Sequence, residues 1–205
     1  MKRFVCLLTC VLSSCAPSLE CAGGECVCRA GASCDVPCAA PPCHLTCAGD
    51  NPVCDGECAN GDCYCGPRSS CHFGCASPPC HLTCDEDADC TGACANGTCT
   101  CDVGASCAFT CDAPPCHVTC GAGSLCTGTC ANGTCTCGPG SDCDFTCESG
   151  PCHAVCHEGA RCLVRCPDGT AGSQNCAIDE CAAGPPIVCP DGRAIACGLP
   201  CPEAP

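Results

Sequence analysis

The residues with the most chemistry to offer are the cysteines, 41 of them in 205 residues. From Cys21 onward they follow the spacing C-x4-C-x-C-x5-C-x3-C-x4-C-x3-C-x5-C-x3 four times, starting at Cys21, Cys58, Cys94 and Cys130. One extra residue after Cys47 makes the first copy 37 residues long; the others are 36. Thiols at this density can attack, bind soft metals or pair. Attack needs a free thiolate beside a base, and neither a G-x-S-x-G elbow, a metalloprotease motif nor a phosphate loop accompanies them. Zinc knuckles and dithiol redox sites use C-x2-C, a spacing absent from the whole chain. Pairing is what remains, so the cysteines are read as disulfide partners. In the first two repeats these are Cys21, Cys26, Cys28, Cys34, Cys38, Cys43, Cys47, Cys54, Cys58, Cys63, Cys65, Cys71, Cys75, Cys80, Cys84 and Cys90, with their equivalents later in the chain.

Disulfides need an oxidising compartment, and the N-terminus fits one. Lys2-Arg3 precede the apolar run Phe4–Leu12, too short to span a bilayer, and small residues follow. Leu12-Ser13-Ser14-Cys15 resembles the lipobox of bacterial lipoproteins, which implies that Cys15 is acylated and becomes the mature N-terminus. Cleavage after Ala16 is the competing expectation, with Pro17 at the cut against it. With Ala16, not aspartate, in the second mature position, the resemblance implies an outer-membrane anchor. Cys6 and Cys10 leave with the signal and Cys15 carries lipid, so 41 less 3 leaves 38, the even number that full oxidation requires. The chain divides into a signal peptide (1–14), an anchor linker (15–20), four repeats over 21–165 (21–57, 58–93, 94–129, 130–165) and a terminal cap (166–205). The cap's six cysteines, Cys166, Cys176, Cys181, Cys189, Cys197 and Cys201, lie in two echoing C-P-D-G units.

Composition makes the cross-links obligatory. From Cys15 on there are 21 large apolar residues, against 24 glycines and 19 prolines in the chain. Ordering each residue costs about 1–2 kcal/mol of backbone entropy, more than so few side chains recover, and disulfides of about 2–4 kcal/mol each are the main compensation. The net charge is −15, and beyond Lys2 and Arg3 the basic residues are Arg29, Arg68, Arg161, Arg165 and Arg193. Such a surface repels phosphate backbones, which excludes nucleic acid as a partner and leaves lipid as the contact with a membrane.

The elements that position the cysteines follow from a finer rhythm. Segments such as Cys71-His72-Phe73-Gly74-Cys75 and Cys80-His81-Leu82-Thr83-Cys84 recur every nine or ten residues. On a strand, alternate residues share a face, so Phe73 and Leu82 point inward with the cysteines while His81 and Thr83 point out. Cysteines four apart on a strand are about 13 Å apart, beyond the ~7 Å limit for bridging, and must pair with neighbouring segments. Asn60-Gly61, Asn96-Gly97 and Asn132-Gly133 form tight turns at equivalent places, and Pro41-Pro42, Pro78-Pro79, Pro114-Pro115 and Gly150-Pro151 break the chain just before the strand that follows.

The predicted fold is all-β: small, disulfide-rich tandem repeats forming a disulfide-filled β-solenoid, with two coils of about 18 residues per repeat. The alternative is a row of EGF-like knots. Cys126 to Cys137, C-T-G-T-C-A-N-G-T-C-T-C, resembles the C-x4-C-x-C part of EGF-like modules of the tenascin kind, which implies an extracellular binding module, with calcium dependence as one option. Bonds confined to each block of eight cysteines are expected for beads, and bonds between blocks for a continuous stack.

Smaller constellations complete the reading. His44, His81, His117 and His153 share one repeat position, which on a solenoid gives an outward row about 10 Å apart, too far for a shared metal. Asp85, Asp87 and Asp89 have the D-x-D-x-D spacing that resembles calcium loops, but no other repeat has it. Thr98-Cys99-Thr100 and Thr134-Cys135-Thr136 resemble the T-C-T rows of insect antifreeze solenoids, a pattern broken at Glu25-Cys26-Val27 and Asp62-Cys63-Tyr64. The expected function is non-enzymatic: an exported, lipid-anchored repeat protein at the outer membrane or cell surface, in a structural or surface-binding role toward an extracellular protein or glycan. A metallothionein-like metal-binding role is the distant alternative.

Overall fold

A computed structural model describes residues 19–37, 40–49, 51–167 and 169–203; the signal segment, Cys15 and Cys38 lie outside them. No helix occurs among the described residues. The strands are β1 (Leu19–Ala22), β2 (Glu25–Cys28), β3 (Ser33–Val36), β4 (His44–Cys47), β5 (Val53–Cys65), β6 (Ser70–Cys84), β7 (Asp89–Cys101), β8 (Ser106–Cys120), β9 (Leu125–Cys137), β10 (Asp142–Cys156), β11 (Arg161–Arg165), β12 (Cys176–Cys181), β13 (Ile187–Val188) and β14 (Ala194–Cys197). From β4 to β11 each lies parallel to the next, building a β-solenoid of about 7 turns. The short strands expected from the cysteine rhythm are fused: β5 to β10 each run 13 or 15 residues through a corner, and the ladder register shifts there.

Coils differ in length because their corners differ. The Asn-Gly corner connects Cys58 to Cys65, and the Pro-Pro corner, two residues longer, connects Cys75 to Cys84. The ladder offset therefore alternates between 17 residues (Val53↔Ser70) and 19 (Ser70↔Asp89), and two coils make the 36-residue repeat. Asn60, Asn96 and Asn132 turn the tight corners with φ of 49°, 49° and 50°, a left-handed conformation that asparagine tolerates. The glycines that follow have no alternative, since a Cβ on Gly97 or Gly133 would collide with the carbonyl of Cys80 or Cys116 in the coil below.

Disulfides staple both edges of every full coil. One column comprises Cys58–Cys63, Cys75–Cys80, Cys94–Cys99, Cys111–Cys116, Cys130–Cys135 and Cys147–Cys152, each between partners 5 apart. The other runs through Cys65–Cys71, Cys84–Cys90, Cys101–Cys107, Cys120–Cys126, Cys137–Cys143 and Cys156–Cys162, each 6 apart. Cys47–Cys54 is 7 apart, absorbing the extra residue of the first repeat. As the strand geometry required, each bond joins consecutive segments around a corner. The expected discriminator fails, however. The bonds are confined to blocks, yet the stack is continuous, because backbone hydrogen bonds, not disulfides, hold one coil to the next. The row of EGF-like knots is excluded by the same ladder.

Two coil types alternate inside. The register Gly56↔Phe73↔Gly92↔Phe109↔Gly128↔Phe145 runs along one wall, and Leu45↔Cys63↔Leu82↔Cys99↔Val118↔Cys135↔Ala154 along the other. A phenylalanine coil with an aliphatic partner is thus followed by a glycine coil with a disulfide, and each ring fills the space its glycine neighbours vacate. Phe73, Phe109 and Phe145 are at most 2% exposed. One core cluster extends from Cys28 to Cys197, with cysteine its commonest member.

The parallel register continues beyond the fourth repeat. β11 stacks on β10 at Asp142↔Arg161, and β12 at Cys152↔Cys176 and Cys156↔Cys181. Cys166–Cys176 thereby continues the corner column, with its partners 10 apart. Cys181–Cys197 and Cys189–Cys201 then fasten β14, which runs antiparallel along β11 and covers the edge of one wall, and β13, which pairs antiparallel with β14. The cysteines that open the two C-P-D-G units differ in place: Cys166 bonds to Cys176 at the start of β12, and Cys189 follows β13.

Candidate functional site

The most regular outward surface is the wall formed by β2, β4, β12 and the second halves of β5 to β10. Its outer column reads Val27↔Thr46↔Tyr64↔Thr83↔Thr100↔Thr119↔Thr136↔Val155. Thr98-Cys99-Thr100 and Thr134-Cys135-Thr136 account for only part of it. His81-Leu82-Thr83 and His117-Val118-Thr119 supply the intervening rungs, a contribution the cysteine-centred reading missed because it compared repeats 36 residues apart, not coils 17 and 19 apart. Tyr64 interrupts the threonines. Its hydroxyl donates to Asp85, and that bond, followed by burial and the charges of Asp85 and Asp102, pushes its pKa up to about 12.

Beside this column lie the histidines, in every second coil as expected, but each is engaged with its neighbour. The backbone N–H of Asp62 donates to His44 Nδ1 at 3.1 Å, that of Thr98 to His81 Nδ1 at 3.1 Å and that of Thr134 to His117 Nδ1 at 3.2 Å. These N–H groups follow the Asn-Gly corners, where the register shift disturbs the ladder, and the imidazole supplies an acceptor there. Accepting at Nδ1 places the ring proton on Nε2. His153 differs, its Nδ1 lying 3.0 Å from Asp179 Oδ1. At His44, His81 and His117 the shared position is therefore a backbone cap between coils. Replacing His81 with alanine should raise the hydrogen-exchange rate of the Thr98 amide and lower stability by about 0.5–1.5 kcal/mol, the worth of one such bond. An unchanged Thr98 rate would remove this role.

Asp85 and Asp87 sit in the turn between β6 and β7, and Asp89 begins β7. Asp85 is committed to the Tyr64 hydroxyl and to the backbone N–H of Glu86 at 2.7 Å. The three carboxylates are not among the ligand-type groups that converge within 4.8 Å; among the described residues those are Cys28/Cys47/Cys54, Cys65/Cys71/Cys90 and Cys120/Cys126/Cys143, all disulfide-bonded. Charge at the C-terminal end is paired across coils. Arg161 Nε donates to Asp142 at 2.8 Å, and Arg165 grips Asp144 with two bonds of 2.9 and 2.8 Å, which raises both guanidinium pKa values. At the other end Arg29 meets Glu20 at 2.7 Å, and a cavity of about 400 Å³ is lined in part by Leu19, Val36, Leu45 and Glu57.

The fold and surface together define a disulfide-filled parallel β-solenoid with a hydroxyl- and imidazole-bearing wall. Comparison with known proteins finds no matching family model, curated protein or solved structure.

Proposed function

We propose that this chain is a non-enzymatic, exported and lipid-anchored solenoid that acts at the outer membrane or cell surface as a rigid structural or binding element. The observation that carries the reading is that every described cysteine is disulfide-bonded, and these bonds occupy the interior where another protein would place aliphatic side chains. Such a core holds only in an oxidising environment, and paired sulfurs offer neither nucleophile nor metal ligand. The wall supplies threonine hydroxyls in successive coils from Thr83 to Thr136 and histidine Nε2–H groups in every second coil, which suits an extended extracellular protein segment or glycan lying along the stack.

Anchoring rests on Leu12-Ser13-Ser14-Cys15. Mass spectrometry of the mature protein should find an acylated N-terminal Cys15, and Cys15→Ala should accumulate the uncleaved precursor. A mature chain starting at Pro17 without acyl mass would overturn the anchor and leave a secreted solenoid.

A further inference from the structure

The geometry points to the C-terminal corner of the solenoid as a thiol–disulfide exchange site for dithiols, in which opening of Cys166–Cys176 is relayed inward to Cys147–Cys152. The reading is independent of how the chain is anchored.

Among the described residues, three disulfides at the coil corners combine a half-buried cysteine with a fully buried one, Cys75–Cys80, Cys111–Cys116 and Cys166–Cys176, as do Cys181–Cys197 and Cys189–Cys201 further along the chain. A reductant reaches the half-buried sulfur first, so the buried sulfur becomes the leaving group. What that sulfur faces decides the next step. Cys80 Sγ lies 3.6 Å from the carbonyl oxygen of Cys58 and 3.5 Å from that of Ser77. Cys116 Sγ is placed likewise, 3.6 Å from the oxygen of Cys94 and 3.4 Å from that of Ala113. Carbonyl oxygens cannot accept a thiolate's attack. Cys176 Sγ instead lies 3.2 Å from Cys147 Sγ, a sulfur of the neighbouring coil's disulfide, with Cys147, Cys152 and Cys176 at most 3% exposed. The sulfur groups along the other edge also approach across coils, but Cys28–Cys34 and Cys47–Cys54, for example, are buried on all sides and give a reductant no access.

Exchange proceeds by thiolate attack on a disulfide sulfur through a mixed disulfide. A dithiol's thiolate attacks Cys166, the Cys166–Cys176 bond breaks and Cys176 leaves as thiolate. The dithiol's second sulfur then displaces Cys166 as it closes its own ring. The dithiol has lost two electrons and the protein has gained them. Cys176 attacks Cys147, a Cys147–Cys176 bond forms, the Cys147–Cys152 bond breaks and Cys152 departs. This second step is redox-neutral, and the dithiol's two protons end on Cys166 and Cys152.

The test treats the native, full-length protein with dithiothreitol at concentrations too low to open the core, quenches it with acid, alkylates the free thiols and maps the peptides. The expected product has alkylated Cys166 and Cys152 and a Cys147–Cys176 cross-link, with loss of the Cys147–Cys152 peptide. Alkylation of Cys166 and Cys176 with Cys147–Cys152 intact would overturn the relay. So would the absence of any discrete product before the whole ladder opens.

Discussion

A chain lacking Cys94–Thr129 should oxidise completely and fold into the same solenoid two coils shorter, whereas one lacking only Cys94–Thr110 should also oxidise but lose about 3–5 kcal/mol more, the usual cost of emptying a phenylalanine site. Both deletions remove whole disulfides: four in the first case, Cys94–Cys99 and Cys101–Cys107 in the second. Both also preserve the register, since Cys94 pairs with Cys111 across one coil and stands two coils from Cys130. Scrambling is not expected, because each bond is local to its corner. What the shorter deletion destroys is alternation. It removes Phe109 from between Gly92 and Gly128, so two glycine walls meet around a void, and it stacks Val118 on Leu82. Denaturant unfolding of the oxidised proteins would separate the two. Equal midpoints would mean that a single coil, not the pair, is the structural unit.

The same alternation makes small residues as intolerant as large ones. Phe109→Ala should cost about 3–5 kcal/mol through the cavity it leaves. Gly92→Ala should cost about 1–3 kcal/mol by overpacking, since its Cβ would fall 2.7 Å from Leu82 Cδ1 and 2.8 Å from the carbonyl oxygen of Phe73. At Gly128 the new Cβ would come within 2.7 Å of the carbonyl oxygen of Phe109, and that backbone cannot withdraw without disturbing the parallel ladder. Thermal or denaturant midpoints of the oxidised variants provide the check. A neutral Gly92→Ala would show that coils separate easily, against the close ring-and-glycine interlock.

Much of this was legible in the residues alone. Strand alternation placed Phe73 and Leu82 inside and His81 and Thr83 outside, and the equal spacing of Cys58, Cys94 and Cys130 announced coils in pairs. These properties are local, set by a two-residue period and by a copied motif, so they survive without knowledge of what packs against what. Connectivity was not local in that sense. Strand geometry excludes Cys71, four residues before Cys75 on the same strand, but it leaves the cysteines of the segments on either side open, and only the path of the Pro-Pro corner decides that Cys80 is the partner. Likewise His81 could be assigned to the surface, but its bond to the Thr98 N–H depends on where the register shift leaves a donor in the next coil. Cys166 read as the first residue of a cap, yet it closes another coil, because parallel pairing with β10 continues regardless of the spacing that follows. The sequence by itself determined the oxidising chemistry, the inward and outward faces and the two-coil period; the tertiary structure alone decided which sulfurs meet, since that depends on how the backbone turns each corner, which the spacing of the cysteines does not state.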